Sequence, residues 1–174
     1  MTAIDDNSID VVLCHWALTL MNPITPVLNE IRRVLSSGGK FAALVNGPMD
    51  AAPGYSDVYN LIYKYVQAKL PRYGEIDLGD PRIRSTDSLK NLLSETFTDA
   101  NISIETSTVS MEGPVAEVAE TTAGFFYASF ILSPEIREVM LSKLSNLLTI
   151  SKKGSISVSH GRFSMPINRL VITK

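Results

Sequence analysis

The sequence is organised around one stretch near its start, Ile9-Asp10-Val11-Val12-Leu13-Cys14-His15-Trp16-Ala17-Leu18. Its first half is a short, nearly unbroken apolar run with two adjacent valines. Such a run is typical of a strand covered on both faces, as in a parallel sheet flanked by helices. A strand of this kind is normally central in its sheet, yet almost no chain precedes it here. The stretch therefore predicts an α/β sheet that begins with what should be an inner strand.

A helix and a second strand are predicted to follow. From Thr25, with Pro26 suited to a first helical turn, apolar residues fall at helical spacing: Val27, Leu28, Ile31, Val34 and Leu35. Gly38 is expected to end this helix in a left-handed conformation. The apolar run from Phe41 to Val45 then forms a strand. Together these segments predict a right-handed βαβ crossover with parallel strands.

The rest of the chain alternates helical and extended patterns. Helical periods cover 55–70 and 86–97, and two more helices are expected after Pro114 and Pro134. Alternating, β-branched stretches predict strands over 102–109, 156–160 and 167–172. We interpret residues 1–174 as a single domain that carries a helical insertion over 113–150.

Composition limits the possible classes of protein. With 174 residues, 45% hydrophobic and 20% charged, the chain can bury one globular core. Its formal charge of −2 gives no general attraction to nucleic acid or anionic lipid. A single cysteine and no Cys/His cluster argue against disulfides and metal sites. The chain shows no secretory signal and no apolar stretch near the ~20 residues that span a bilayer, so we expect a cytoplasmic protein.

Two phrases at a fixed distance resemble class I S-adenosylmethionine-dependent methyltransferases. The first runs from Asp6 to Val12, and the second is Glu30-Ile31-Arg32-Arg33-Val34-Leu35-Ser36-Ser37-Gly38-Gly39-Lys40-Phe41. In that family, a phrase like Asp-Asn-Ser-Phe-Asp introduces the fourth strand. A helix ending in a phrase like Val-Leu-Lys-Pro-Gly-Gly leads to the fifth. Ile9 replaces the usual Phe, and Ser36-Ser37 replaces Lys-Pro.

The resemblance implies the carboxyl-terminal half of that fold. It predicts a partial Rossmann-like sheet with strands equivalent to 4-5-7-6, the last of them antiparallel, with flanking and inserted helices. The family binds S-adenosylmethionine mainly through a glycine-rich loop after its first strand. No Gly-x-Gly motif occurs in this sequence. We therefore expect an intact relative to use S-adenosylmethionine, and this chain alone to be truncated, to bind no cofactor and to be inactive.

The same resemblance suggests two groups of site residues. Cys14, His15, Trp16 and Ala17 match the end of the fourth strand, where the family lines the methionine end of its cofactor. Tyr59, Phe125 and Phe126 are candidates for a substrate pocket, although aromatic stripes of this kind commonly serve helix packing. No catalytic residue is assigned, because Cys14 and His15 are neighbours on a strand and point to opposite faces.

Two functions remain open at this level. The first is a methyltransferase acting on a small, fairly apolar metabolite. The alternative is a non-catalytic remnant that serves as a dimerisation or protein-binding module. In either case the loss of the first three strands leaves Asp10 to His15 as a bare edge. We expect that edge to pair with a second copy in a homodimer or with a missing amino-terminal half.

Overall fold

The structure, a computed structural model, describes residues 4–72, 79–150 and 159–174. Within these ranges the chain forms five α-helices and five β-strands. It divides into two compact units. Unit 1 comprises Met1–Ala51, Asp77–Ser107 and Pro166–Lys174, and unit 2 comprises Ala52–Ile76 and Thr108–Met165. The predicted single domain with an insertion over 113–150 stays a prediction.

The sheet has the predicted order and directions. Its strands are β1 Ile9–His15, β2 Leu35–Asn46, β3 Asn101–Pro114, β4 Thr149–Ile150 and β5 His160–Thr173. The main path runs β1-β2-β5-β3, and β4 pairs with β5. β1 is parallel to β2, whereas β5 is antiparallel to β2. The prediction of a partial Rossmann-like sheet with an antiparallel last strand is therefore confirmed.

The connection between the first two strands differs from the prediction at Gly38. Helix α1 covers Thr25–Val34, and Leu35 is already extended. Gly38 therefore does not end the helix, and that prediction is wrong. Leu35 pairs with Ile9 and Lys40 with Val11, so β2 bulges between these two pairs. Gly38 lies in this bulge with φ +77°, a conformation in which glycine avoids the strain of a side chain.

The core of unit 1 lies on one face of its sheet. Helices α1 and α3, Thr86–Thr96, contribute its helical part, and Ser85 caps α3 by accepting a hydrogen bond from the Ser88 amide at 3.4 Å. Phe41 of β2 stacks on Phe97 with ring centroids 6.5 Å apart. The other large, fully buried side chains of this core are Leu18, Ile24, Leu28, Leu35, Leu89, Leu93 and Leu170.

A buried amide links three segments of unit 1. Asn168 of β5 is 1% exposed. Its Oδ1 accepts a hydrogen bond from the Thr106 hydroxyl at 2.7 Å, and its Nδ2 donates to Thr86 Oγ1 at 3.1 Å. A buried amide without partners would be unfavourable. This pair of bonds therefore favours one register of β5 against β3 and one position of α3 beside them.

Unit 2 has a helical core of its own. Its helices are α2 Tyr55–Lys69, α4 Val115–Phe125 and α5 Pro134–Leu148. The core side chains include Val58, Ile62, Val66, Val118, Met140, Leu144 and Phe163. A Cβ on Gly161 would lie 3.0 Å from the Val115 Cα, so only glycine lets β5 approach α4 this closely.

Three boundaries in unit 2 refine the sequence predictions. β3 extends through Pro114, so within 113–150 the helical segments occupy Val115–Leu148. In the strand predicted over 156–160, residues 156–158 lie outside the described residues, and β5 begins at His160.

No helix formed by the described residues is both long and apolar enough to cross a bilayer.

Candidate functional site

The first group of predicted site residues lies where β1 ends in unit 1. Cys14 is partly buried and packs against the unit 1 core. His15, Trp16 and Ala17 follow it out of the strand, and His15 and Ala17 are exposed. The rings of His15 and Trp16 meet edge to face with centroids 5.7 Å apart. An imidazole and an indole thus form a continuous aromatic surface at the carboxyl end of β1.

The backbone at Trp16 adopts an unusual conformation. Its φ of 61° and ψ of −15° place it in the left-handed region. A bulky side chain disfavours that region by about 1–2 kcal/mol. The Trp16 amide donates to the Leu44 carbonyl at 3.0 Å. The Trp16 carbonyl accepts from both the amide and the hydroxyl of Thr19, at 3.2 and 2.5 Å. Strain held in place by several bonds is a feature of many functional sites.

A second segment of unit 1 supports the turn after β1. The Asp80 amide donates to the Met21 carbonyl at 2.9 Å. The buried Asp80 carboxylate accepts hydrogen bonds from the Arg82 side chain at 2.6 and 2.9 Å. The Arg82 hydrogen bonds are the main reason that the pKa of Asp80 falls from 3.8 to about 2. Asp80 is therefore a paired carboxylate that anchors this turn.

The strand end presents two aromatic side chains beside a cysteine. Cys14 packs inward while His15 faces outward, as predicted for neighbours on a strand. In the part of the chain that the structure describes, no group of His, Cys, Asp and Glu side chains is arranged to hold a metal ion. This surface presents ring faces, the ring nitrogens of His15 and Trp16, and backbone groups.

The second group of predicted residues lies in unit 2, within one aromatic cluster. Tyr59 meets Phe126 edge to face at 6.2 Å. Phe125 contacts Phe163 at 6.2 Å. Tyr55 joins the two pairs, with ring centroids 6.3 Å from Phe126 and 6.1 Å from Phe163. The structure therefore brings all three predicted residues into one cluster.

Tyr55 and Phe163 were not among the predicted site residues. Tyr55 belongs to the apolar stripe of α2, and Phe163 lies on a strand whose register is visible only once β5 is paired. Both are nearly fully buried, whereas Phe125 is 51% exposed. Burial, with a smaller contribution from Tyr59, raises the pKa of Tyr55, so its phenol is neutral at pH 7. Tyr55 and Phe163 pack the unit, Tyr59 and Phe126 are partly buried, and Phe125 is the most exposed ring of the cluster.

Two surface cavities lie in unit 2. The larger, about 620 Å³, is an open groove between α2 and α5 lined by Asp57, Asn60, Leu61, Lys64, Lys143, Asn146 and Leu147. The smaller, about 260 Å³, shares Asp57 and Leu147 with it and includes Pro53, Gly54, Val58, Leu148, Arg162, Phe163 and Ser164. Neither is lined by Tyr59, Phe125 or Phe126. The substrate role of these three aromatics stays a prediction.

Comparison with known proteins supports the fold interpretation. The family model described as a methyltransferase domain matches residues 1–43, which contain β1, α1 and part of β2. A candidate methyltransferase from Bacillus halodurans C-125 has a similar structure, with a TM-score of 0.53 at 13% identity. A candidate methyltransferase of an antibiotic biosynthesis pathway in Anabaena variabilis gives 0.52 at 14% identity. The YcgJ protein of Bacillus subtilis gives 0.50 at 13% identity.

The predicted resemblance to class I methyltransferases is therefore confirmed, and the likeness of fold extends over the whole of this chain. All of this chain aligns with the Bacillus halodurans and Anabaena proteins, and it covers 68% and 70% of their lengths. With the Bacillus subtilis protein, 98% of this chain aligns and 65% of that protein is covered. No curated protein matches the sequence significantly.

Proposed function

We propose that this chain supplies the carboxyl-terminal part of an S-adenosylmethionine-dependent methyltransferase. The observation that carries the proposal is the family match over residues 1–43, because it includes the strand end with His15 and Trp16. The sheet order supports the same conclusion. The whole chain aligns with structures of which it covers 68% and 70%, so part of their fold has no counterpart in it.

The cofactor would meet this chain at the end of β1. When bound, S-adenosylmethionine supplies an electrophilic methyl group on a sulfonium cation. The face of an indole attracts cations, and Trp16, with His15 packed against it, would provide such a face at the strand end. The backbone at Cys14 and Ala17 would complete the contact. The glycine-rich loop of the family is missing, so the chain alone does not hold the cofactor.

The acceptor would be a small, fairly apolar metabolite that contacts the aromatic residues of unit 2. Phe125, with Tyr59 and Phe126, would bind and orient it. Transfer of a methyl group from a sulfonium requires in-line alignment and exclusion of water more than a general base. An apolar aromatic surface can supply both. We place the protein in the cytoplasm, where this cofactor would be accessible.

Calorimetric titration with S-adenosylhomocysteine tests the proposal at two chain lengths. The chain alone should show no saturable binding, and a micromolar Kd would contradict our inference that it cannot hold cofactor. The polypeptide that includes any sequence encoded upstream of residue 1 should bind with micromolar affinity. His15→Ala should weaken that binding. His160→Ala, at the start of β5, is the matched control and should not. Failure of the longer polypeptide to bind would overturn the methyltransferase proposal.

A second candidate function rests on the exposed side of β1. This strand ends the sheet and pairs only with β2 in the described part of the chain. Val11 and Leu13 are 56% and 76% exposed on it. An antiparallel pairing about a two-fold axis at Val12 would place Val11 opposite the partner's Leu13. We propose that the chain alone dimerises in this way, and that a complete amino-terminal half would occupy the same edge.

Sedimentation velocity over a range of concentrations tests the dimer. The chain alone should sediment as a dimer, and Leu13→Lys should make it monomeric because lysine on an edge strand opposes edge-to-edge pairing. Leu147→Lys, which changes a leucine that is 44% exposed in unit 2, is the control and should leave the dimer intact. A monomer at the highest concentration would contradict the proposal.

A further inference from the structure

One side chain, that of Thr19, forms a hydrogen bond within the turn after β1. A non-glycine residue in the left-handed region persists only where its surroundings enforce that conformation. At Trp16 the bond from its amide to Leu44 and the bond from the Thr19 amide to its carbonyl use backbone groups alone. Any residue type could make them. The 2.5 Å bond from the Thr19 hydroxyl to the Trp16 carbonyl requires Thr or Ser at position 19.

The backbone of Thr19 is packed against a second segment of unit 1, at Gly79. Gly79 has φ +77°, and a Cβ added there would lie 2.1 Å from the Thr19 carbonyl oxygen. The backbone at Gly79 therefore packs directly against residue 19. The neighbouring Asp80 amide donates to the Met21 carbonyl at 2.9 Å. With its carbonyl side packed in this way, the Thr19 hydroxyl has a fixed position from which to hold Trp16.

We propose that Thr19 is a positioning residue for the ligand surface at the end of β1. Its hydroxyl holds the Trp16 backbone in the left-handed conformation, which keeps the indole edge to face with His15. The two rings are then arranged before a ligand arrives, so binding does not have to order them. This inference rests on the proposed function only where it concerns the cofactor. The link from Thr19 to Trp16 can be tested without any ligand.

The test compares three variants of the whole chain. Thr19→Val removes the hydroxyl with little change of shape, and Thr19→Ser restores it. Thr96→Val is the matched control, since the buried Thr96 hydroxyl also donates to a backbone carbonyl in unit 1, that of Leu92 at 2.9 Å. Trp16 is the only tryptophan, so its fluorescence reports on this turn alone.

Loss of one hydrogen bond should raise the exchange rate of the Trp16 amide roughly two- to tenfold in Thr19→Val, as measured by NMR. The fluorescence emission of Trp16 should shift in Thr19→Val, and acrylamide should quench it more strongly. Thr19→Ser should restore both signals, and Thr96→Val should leave both unchanged. Identical signals in Thr19→Val and the parent chain would overturn the inference. That result would leave the cofactor titration as an independent test of the proposed function.

Discussion

The two units hold their buried polar groups in different ways. In unit 1, Asn168 bonds to side chains 62 and 82 residues away. In unit 2, the buried hydroxyls of Thr122 and Ser129 donate to carbonyls only four and six residues earlier. Unit 1 combines this long-range pair with local bonds such as Thr96 to Leu92 and Asp80 to Arg82, whereas both of these bonds in unit 2 form within a local stretch of chain.

The largest expected contrast is between two phenylalanines. Phe41→Ala in unit 1 empties a fully buried site against Phe97 and should destabilise the protein by about 3–5 kcal/mol. Phe125→Ala in unit 2 removes a half-exposed ring and should change stability by less than about 1 kcal/mol. Urea unfolding midpoints measure both, and the milder Phe41→Leu covers the case in which Phe41→Ala does not fold. Equal effects at the two positions would contradict the contrast.

Two glycines have a similar positive φ but different surroundings, so their alanine variants distinguish backbone strain from close packing. Gly79 in unit 1 and Gly54 in unit 2 have φ of +77° and +74°. Nothing lies within 4 Å of a Cβ on Gly54, so Gly54→Ala should lower stability by about 1–2 kcal/mol from strain alone. Gly79→Ala adds a clash with the Thr19 carbonyl and should lower it clearly further. Thermal unfolding of both variants measures the two losses of stability. A smaller loss in Gly79→Ala than in Gly54→Ala would show that the turn at Thr19 moves to relieve the clash.

Buried polar bonds give the next contrast. Asn168→Ala should lower the free energy of unfolding by about 1–3 kcal/mol because it leaves two threonine hydroxyls without their partner. Ser129→Ala removes a single local hydroxyl bond and should lower it by about 1 kcal/mol. A double-mutant cycle with Thr106→Ala should show coupling to Asn168 and none to Ser129. Additive effects at Asn168 and Thr106 would argue against a shared network.

The smallest expected effect is in the pH dependence of stability. The pKa of Asp80 falls from 3.8 to about 2 on folding, mainly through the Arg82 hydrogen bonds, so its contribution is present above about pH 4 and lost as the pH falls toward 2. Since the Arg82 side chain is 43% exposed, solvent limits this contribution to about 1 kcal/mol. Asp80→Asn keeps a capping side chain and should remove this part of the acid dependence.

Glu135 in unit 2 provides the comparison for that titration. A hydrogen bond from its own backbone amide is the main cause of the lowered pKa of Glu135, but this carboxylate is fully open to solvent. Glu135→Gln should therefore change the acid dependence less than Asp80→Asn does. Unfolding measured between pH 2 and 7 for both variants and the parent chain tests this order. A larger effect at Glu135 would reverse it.

Much of the fold could be predicted from the sequence because its signals are local. The apolar run of β1 and the helical spacing of α1 predicted the parallel pair, and the resemblance to class I methyltransferases predicted the strand order. Gly38 was misplaced for a physical reason. The pattern Ser-Ser-Gly-Gly is compatible with a helix end or with a strand bulge. The pairing of Leu35 with Ile9, which decides between them, is not visible in the local sequence.

The candidate site was less predictable because its geometry depends on backbone conformation. The sequence indicated that His15 and Trp16 end a strand, but not that Trp16 is left-handed. Likewise the contact of Gly79 with Thr19 joins segments sixty residues apart. The aromatic cluster was only partly predicted, since Tyr55 and Phe163 meet across a helix and a strand whose pairing the sequence leaves open.

The position of β5 between β2 and β3 also has a consequence for protein synthesis. β2 pairs with β5 from Lys40↔Thr173 to Asn46↔Ile167, so this edge of β2 cannot be paired until residues 167–173 have been synthesised. Until the ribosome releases those residues, the apolar edge of β2 has no partner on that side. Nascent chains with unpaired strand edges are prone to aggregate. Slower synthesis at low temperature, or a chaperone that shields β2, should therefore raise the yield of folded protein.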